Sequence, residues 1–545
     1  MNTQPEESDG IKLLKKGQNG LIHALFSRLG LMLLLLLLQF SIIIVIFFKF
    51  EEYIPHFTVI STVISIIIVL CLLNNKMDPT AKITWLILML VIPVFGVFFY
   101  WYIQSDFGHR ALKQRFTGIL KMTNDKIPQS ENVIKQLEQE NSGTVALNRY
   151  IQRTGTYPIY DNTDVTYFPL GEDKFQEMLI QLKQAKHFIF MEYFIVNEGH
   201  MWGNVLEILA MKAAEGVDVR IMYDGTCEFA LLPHDYPKRL SKLGIKCKIF
   251  APVAPFISTH YNYRDHRKIL VIDGHTAFNG GINLADEYIN RTSRFGHWKD
   301  TAVMIKGDAV KSFTLMFLQM WNIDVKNAEY DKFLSYPTAS ELTTFNQTNF
   351  EDTANAAKTC NTASGYVMPY GDCPLDEDNV GEWVYMDILN RATRYVHIMT
   401  PYLILDGSME STLKFAAKRG IDVTIIMPGI PDKIVPYALA KSHYASLLEA
   451  GIKIYEYTPG FVHAKVFVSD DETAVVGTIN LDYRSFYHHF ECATYMYKSN
   501  CITDIEADFQ HTLAQCRQVT PETIRKEKLS LKIMGFLFKA VAPLL

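Results

Sequence analysis

Apolar residues gather in three long runs before residue 105 and in short, regularly spaced runs after residue 160. The first run, Leu29 to Phe48, is interrupted only by Gly30, Gln39 and Ser41, and a helix of that length crosses a hydrocarbon layer of about 30 Å. The second, Phe57 to Leu73, is softened by Thr58, Ser61, Thr62 and Ser65, whose hydroxyls can bond to helix carbonyls without breaking the helix. The third, Ile83 to Ile103, carries Trp85 near its start and Tyr100, Trp101 and Tyr102 at its end, where amphipathic rings favour the headgroup level. Together they predict a membrane anchor over residues 1–105, with transmembrane helices at 29–49, 57–74 and 83–103 in a multi-pass protein of the cell membrane. A cleaved signal peptide fits the first run poorly, because the apolar stretch is too long and no small-residue cleavage pattern follows. Flanking basic residues divide six against five between the two sides, so charge fixes no orientation.

Beyond the anchor the pattern changes twice. Two polar stretches, Ser105 to Tyr157 and Asp324 to Tyr366, show no apolar period and read as connectors. They divide the remainder into a linker and pre-domain segment (106–160), a first half (161–325), a connector (326–365), a second half (366–520) and a C-terminal amphipathic helix (521–545). In the first half the strand-like run His187 to Val196 precedes a helical pattern, then Asp218 to Tyr223 with an Asp224-Gly225 turn, then Gly244 to Phe250. In the second, Tyr395 to Leu405 precedes a helical pattern, then Asp422 to Met427 with a Pro428-Gly429 turn, then Gly451 to Tyr457. Strands alternating with helices predict the α/β class, and the duplication predicts two α/β/α sandwich halves related by a pseudo-twofold axis. The last run, Leu529 to Leu545, mixes apolar residues with Lys532 and Lys539; it suits an interfacial helix or one packed on the core.

Composition narrows the function. The 545 residues include 53 Lys and Arg against 58 Asp and Glu, a net charge of -5 that excludes a chain built mainly to coat nucleic acid. With 49% hydrophobic and 20% charged residues it is not a disordered protein. Eight cysteines show no CxxC pair and no His/Cys clustering, so neither a zinc site nor a disulfide framework is signalled.

The chemistry sits at the end of each half. One motif reads HRKILVIDGHTAFNGGIN, from His266 through Lys268, Asp273, Gly280 and Gly281 to Asn283; the other reads HAKVFVSDDETAVVGTIN, from His463 through Lys465, Asp470 and Gly477 to Asn480. Offsets from the histidine are identical: +2 for Lys, +7 for Asp, +14 for Gly and +17 for Asn. On a strand each His and its Lys would share a face, and a pseudo-twofold axis would bring both pairs into one pocket. Two imidazoles and two ammonium groups suit a phosphodiester: one neutral His attacks phosphorus, the other protonates the departing oxygen, and the lysines neutralise the equatorial oxygens. Asn283 and Asn480 can donate to the same oxygens. By parity Asp273 and Asp470 fall on the opposite strand face, which predicts a structural, turn or salt-bridge role. Separate carboxylates are then needed to orient the imidazoles, and the candidates are Asp300 in HWKD and Glu491 in HHFE. His488 and His489 are expected at the surface or behind the reacting groups.

The paired HxKxxxxD motifs resemble the phospholipase D superfamily, and nearly the whole chain is similar to bacterial cardiolipin synthases of that type. Matching stretches include MDPTAKITWLILMLVIP (Met77 to Pro93), YRDHRKILVIDG (Tyr263 to Gly274), GGINLADEY (Gly280 to Tyr288), GFVHAK (Gly460 to Lys465) and GTINLDYRS (Gly477 to Ser485). The resemblance implies transfer of a phosphatidyl group from one phosphatidylglycerol to another through a phosphohistidine, with no metal or other cofactor and no nucleic acid. It places His266, Lys268, Asp273, His463, Lys465 and Asp470 in the catalytic set, with His266 as nucleophile. At His489 this chain departs from the family, which often has Asn there. A membrane-bound hydrolase, a membrane-attached nuclease and a non-enzymatic scaffold are the rival readings.

Overall fold

The computed structural model describes residues 57–91, 109–252, 263–335 and 364–544, with isolated positions between 41 and 101. Its first half contains strands β1 (Thr163–Phe168), β2 (Phe188–Tyr193), β3 (Asp218–Asp224), β4 (Lys246–Phe250), β5 (Arg264–Asp265), β6 (Lys268–Ile272), β7 (Thr276–Gly280), β8 (His297–Lys299) and β9 (Ala302–Gly307). Its second contains β10 (Tyr366–Asp372), β11 (Tyr395–Met399), β12 (Leu403–Ile404), β13 (Asp422–Pro428), β14 (Lys453–Tyr457), β15 (Gly460–Val462), β16 (Val466–Ser469), β17 (Thr473–Gly477), β18 (Leu481–Asp482), β19 (His489–Tyr497) and β20 (Cys516–Gln518). The sheets run β1-β9-β7-β6-β2-β3-β4 and β10-β19-β17-β16-β11-β13-β14-β20, so the duplication extends to strand order. In each, one run of strands pairs in parallel (β2–β3–β4 and β11–β13–β14), and the strands carrying the motif pair antiparallel.

The central strands β2 and β6 are buried at every position, as sheets covered on both faces require. Apolar side chains from both sheets, among them Phe190, Val271, Phe467 and Val475, join one core. The helix Val310–Trp321, buried at every position except Lys311, is wedged into it. Its Phe317 stacks on Phe190 at 4.6 Å between ring centroids.

One expectation is corrected, and one is only partly covered by the described residues. The stretch 106–160 is not a polar connector: it folds into helices His109–Thr123, Glu131–Glu140 and Ser142–Gly155. Val133, Leu137, Val145, Leu147 and Ile151 turn inward at helical spacing, a period diluted by the polar residues between them. Second, among the described residues no helix is long and apolar enough to cross a membrane. The expected span at 57–74 forms the 17-residue helix Phe57–Leu73, and the one at 83–103 contributes to the 13-residue helix Pro79–Val91. Asp78 Oδ1 accepts from the Thr80 and Ala81 amides and so starts the second helix four residues ahead of the apolar run. Trp85 is not at a surface belt; it is buried against Tyr100 at 5.2 Å. The expected span at 29–49 lies outside the described residues apart from three isolated positions.

The C-terminal helix Leu529–Lys539 lies on the helix Ile434–Glu449. Contact is closest at Gly535, where a Cβ would stand 2.5 Å from the Ala438 carbonyl oxygen. Leu529, Phe536 and Leu537 point away and are 71%, 79% and 60% exposed. Thr84 Oγ1 donates to the Ala540 carbonyl (2.9 Å), joining the amino-terminal helices to the same end of the molecule.

Candidate active site

Neither motif histidine lies within a strand; each follows a short strand contributed to the other half. β5, just before His266, pairs in parallel with β19, and β15, just before His463, pairs in parallel with β8. The His266 amide donates to the Phe490 carbonyl (3.0 Å), and the His463 amide to the Lys299 carbonyl (2.7 Å). Each of these carbonyls belongs to the residue immediately before a carboxylate. The consequence is an exchange: His266 Nδ1 meets both Glu491 oxygens at 2.9 Å, and His463 Nδ1 meets Asp300 Oδ2 at 2.7 Å. Asp300 and Glu491, expected downstream within each half, therefore each hold the imidazole of the opposite half.

The duplicated glycine-rich turns serve these carboxylates differently. At Gly281 a Cβ would fall 2.1 Å from Asp300 Oδ1, so only glycine leaves that carboxylate room. The matching position is Thr478, whose hydroxyl donates to Glu491 Oε2. Phe194 approaches the His266 ring at 5.0 Å, while Tyr288 and Trp298 approach His463 at 5.5 and 5.3 Å.

Burial dominates the electrostatics. It pushes His266 well below its ordinary value and His463 down to about 4, despite the facing carboxylates, so both rings are neutral at pH 7. Burial alone would raise Glu491, but the facing His266 ring, with His489, carries it well below the carboxylate range. Lys268 and Lys465 are lowered to about 8 and about 7, chiefly by burial, and each Nζ donates to the carbonyl of its own motif histidine. The Lys268 charge also acts on His463 and Lys465, which places both halves of the motif in one electrostatic neighbourhood.

The remaining predicted residues separate. Asp273 accepts from the Lys186, His187 and Phe188 amides (2.7–2.8 Å), and Asp470 from those of Thr393, Arg394 and Tyr395 (2.7–2.9 Å). Both sit in tight turns at positive φ, 51° and 57°, and fasten the starts of β2 and β11. Their bonds fit the structural turn role that parity predicts. Asn283 is also engaged, accepting from the Ile195 amide (3.0 Å) and donating one N–H to Tyr288 Oη (2.8 Å). Asn480 differs: its Oδ1 is buried without a hydrogen-bond partner among the described residues. One neighbour escaped the sequence reading: Lys174 is buried, donates to Tyr193 Oη (3.3 Å) and is lowered to about 7 by burial. His489 is buried, the second of the two placements expected for it. Lys174 lies in an amphipathic helix with no motif around it, so nothing in the sequence marked it.

Two lobes of one fold, interlocked so that each completes the other's histidine, define a duplicated phospholipase D-like protein. The family described as "Cardiolipin synthase, PLD-like domain" matches residues 178–321 and 385–513, and "Phospholipase_D-nuclease N-terminal" matches 60–104. The chain belongs to the cardiolipin synthase, phospholipase D-like family. It is 55% identical to an uncharacterized protein of Streptococcus mutans, over 88% of this chain and 99% of that one. It is 31% identical to a cardiolipin synthase of Alkalihalophilus pseudofirmus (90% and 93% covered) and 32% identical to that of Halalkalibacterium halodurans (90% and 94%). A phosphatidylserine synthase of Haemophilus influenzae shares the fold at TM-score 0.53 and 13% identity, covering 70% of this chain and 95% of that one.

Proposed function

We propose that the protein is a membrane-bound cardiolipin synthase that joins two phosphatidylglycerol molecules into cardiolipin and glycerol. The observation that carries this reading is the exchanged pair of His–carboxylate contacts, His266–Glu491 and His463–Asp300, set beside two lysines. The similarity to cardiolipin synthases supplies the substrate class.

Neutral His266, with its Nδ1 proton held toward Glu491, presents the Nε2 lone pair to phosphorus. The P–O bond to the headgroup glycerol breaks as the P–N bond forms. His463 hands its proton to the departing oxygen, and Asp300 stabilises the charged ring before that transfer. The bound phosphodiester anion favours that protonated form, which burial otherwise suppresses. His463, now neutral, takes the proton from the terminal hydroxyl of a second phosphatidylglycerol. That oxygen attacks phosphorus, the P–N bond breaks, and His266 returns to its starting state. Lys268 and Lys465 balance charge on the equatorial oxygens throughout.

The amino-terminal apolar runs and the exposed C-terminal helix face support residence at a bilayer. Purified full-length protein incubated with phosphatidylglycerol is expected to yield cardiolipin and free glycerol by mass spectrometry, in excess chelator as well as without it. Phosphatidic acid as the sole product would replace this reading with a hydrolase.

A further inference from the structure

Beside His266 lies an imidazole for which the transfer chemistry has no use. His489 is 7% exposed, its ring centroid 5.3 Å from that of His266, and neither of its ring nitrogens makes a hydrogen bond among the described residues. Buried imidazoles are ordinarily satisfied, so a buried ring with no hydrogen bond at either nitrogen, and only a long contact to one carboxylate, points to a missing ligand. Its Nδ1 stands 3.5 Å from Glu491 Oε1, the same oxygen that lies 2.9 Å from His266 Nδ1. One ligand atom from each of the three residues falls within 4.8 Å of the other two. Around a tetrahedral zinc ion, with bonds of about 2.0–2.2 Å, ligand atoms sit roughly 3.4 Å apart. Small side-chain movements would bring this trio to that spacing.

We propose that His266, His489 and Glu491 form a zinc-binding site that shuts the enzyme off when occupied. Two imidazoles and one carboxylate are a common zinc donor set, and the fourth position would be left to water. The inhibition follows from tautomerism. While His266 Nδ1–H faces Glu491, Nε2 keeps its lone pair. Zinc takes the Nδ1 lone pair instead, and the ring proton moves to Nε2. No proton is lost overall, yet the atom that would attack phosphorus no longer has electrons to offer. The site itself stands on geometry; only its inhibitory effect rests on the role of His266 proposed above.

The test titrates full-length protein in detergent micelles with Co2+ and records the visible spectrum, then displaces the ion with Zn2+. Expected are intense tetrahedral d–d bands saturating at about one equivalent, lost in His489→Asn and retained in His463→Asn. His489→Gln provides a second variant should the first fail to fold by thermal unfolding. In parallel, zinc near stoichiometry should suppress cardiolipin formation at least tenfold in wild type, with recovery on chelation. Absence of the bands, their survival in both His489 variants, or thiolate charge-transfer absorption from a cysteine site would overturn the proposal. Zinc-dependent turnover that chelation abolishes would overturn the inhibitory effect and the metal-free reaction together. Failure to form cardiolipin in every condition, with the bands intact, would leave the site standing and reject only the synthase reading.

Discussion

At the scale of residues, the motif separates into groups that face the pocket and groups that hold the chain. His266→Ala or His463→Ala should each lower cardiolipin formation by about 10³-fold or more, with an unchanged melting temperature, measured by product mass spectrometry and calorimetry. Glu491→Gln and Asp300→Asn should reduce kcat by about 10²-fold with little change in KM, because they act on the tautomer and charge of the opposite imidazole. Asp273→Asn should instead remove about 1–3 kcal/mol of stability, since it weakens three bonds to backbone amides near β2 and touches no reacting atom. The lysines set the alkaline limb of the pH profile. With Lys465 at about 7 and Lys268 at about 8, both are charged at pH 6 and lose protons as the pH rises, so kcat/KM should fall between pH 7 and 9. Bound phosphate favours the charged lysines, and the corresponding limb of kcat should lie higher. The acid limb belongs to the nucleophile: burial holds His266 well below the ordinary imidazole value, so that limb lies below it too.

At the scale of elements, the strands were legible and the exchange between them was not. Runs such as Asp218 to Tyr223 and Asp422 to Met427 announce themselves by short clusters of apolar and β-branched residues closed by a turn, and they are β3 and β13. The identical offsets of the two motifs also made Asp300 and Glu491 findable as the needed acids. Their crossing depends on β5 and β15, two and three residues long, which add to the edges of strands some two hundred positions away. No local pattern encodes such a partner, because parallel pairing at long separation is decided by the packing of whole lobes. The helices of 109–155 were missed for a different reason: their buried faces are narrow and their polar faces long. The C-terminal helix gives a test at this scale. Phe536→Asp combined with Leu529→Asp should weaken flotation with anionic vesicles while leaving the melting temperature unchanged, since both side chains are mostly exposed and away from the helix Ile434–Glu449.

At the scale of the whole molecule, the two lobes share one core within a single chain, and the proposed reaction centre draws a histidine and a carboxylate from each. A mixture of His266→Ala and His463→Ala proteins should therefore stay inactive, because each chain lacks one of the two imidazoles of the proposed centre; recovered cardiolipin synthesis would show that the centre forms between chains. The exchange of carboxylates also bears on how the protein is made. His266 is 225 residues ahead of the acid that orients it. A half-finished chain carries the first motif without that acid, so the His266 site is complete only once Glu491 has been synthesised and its lobe has folded.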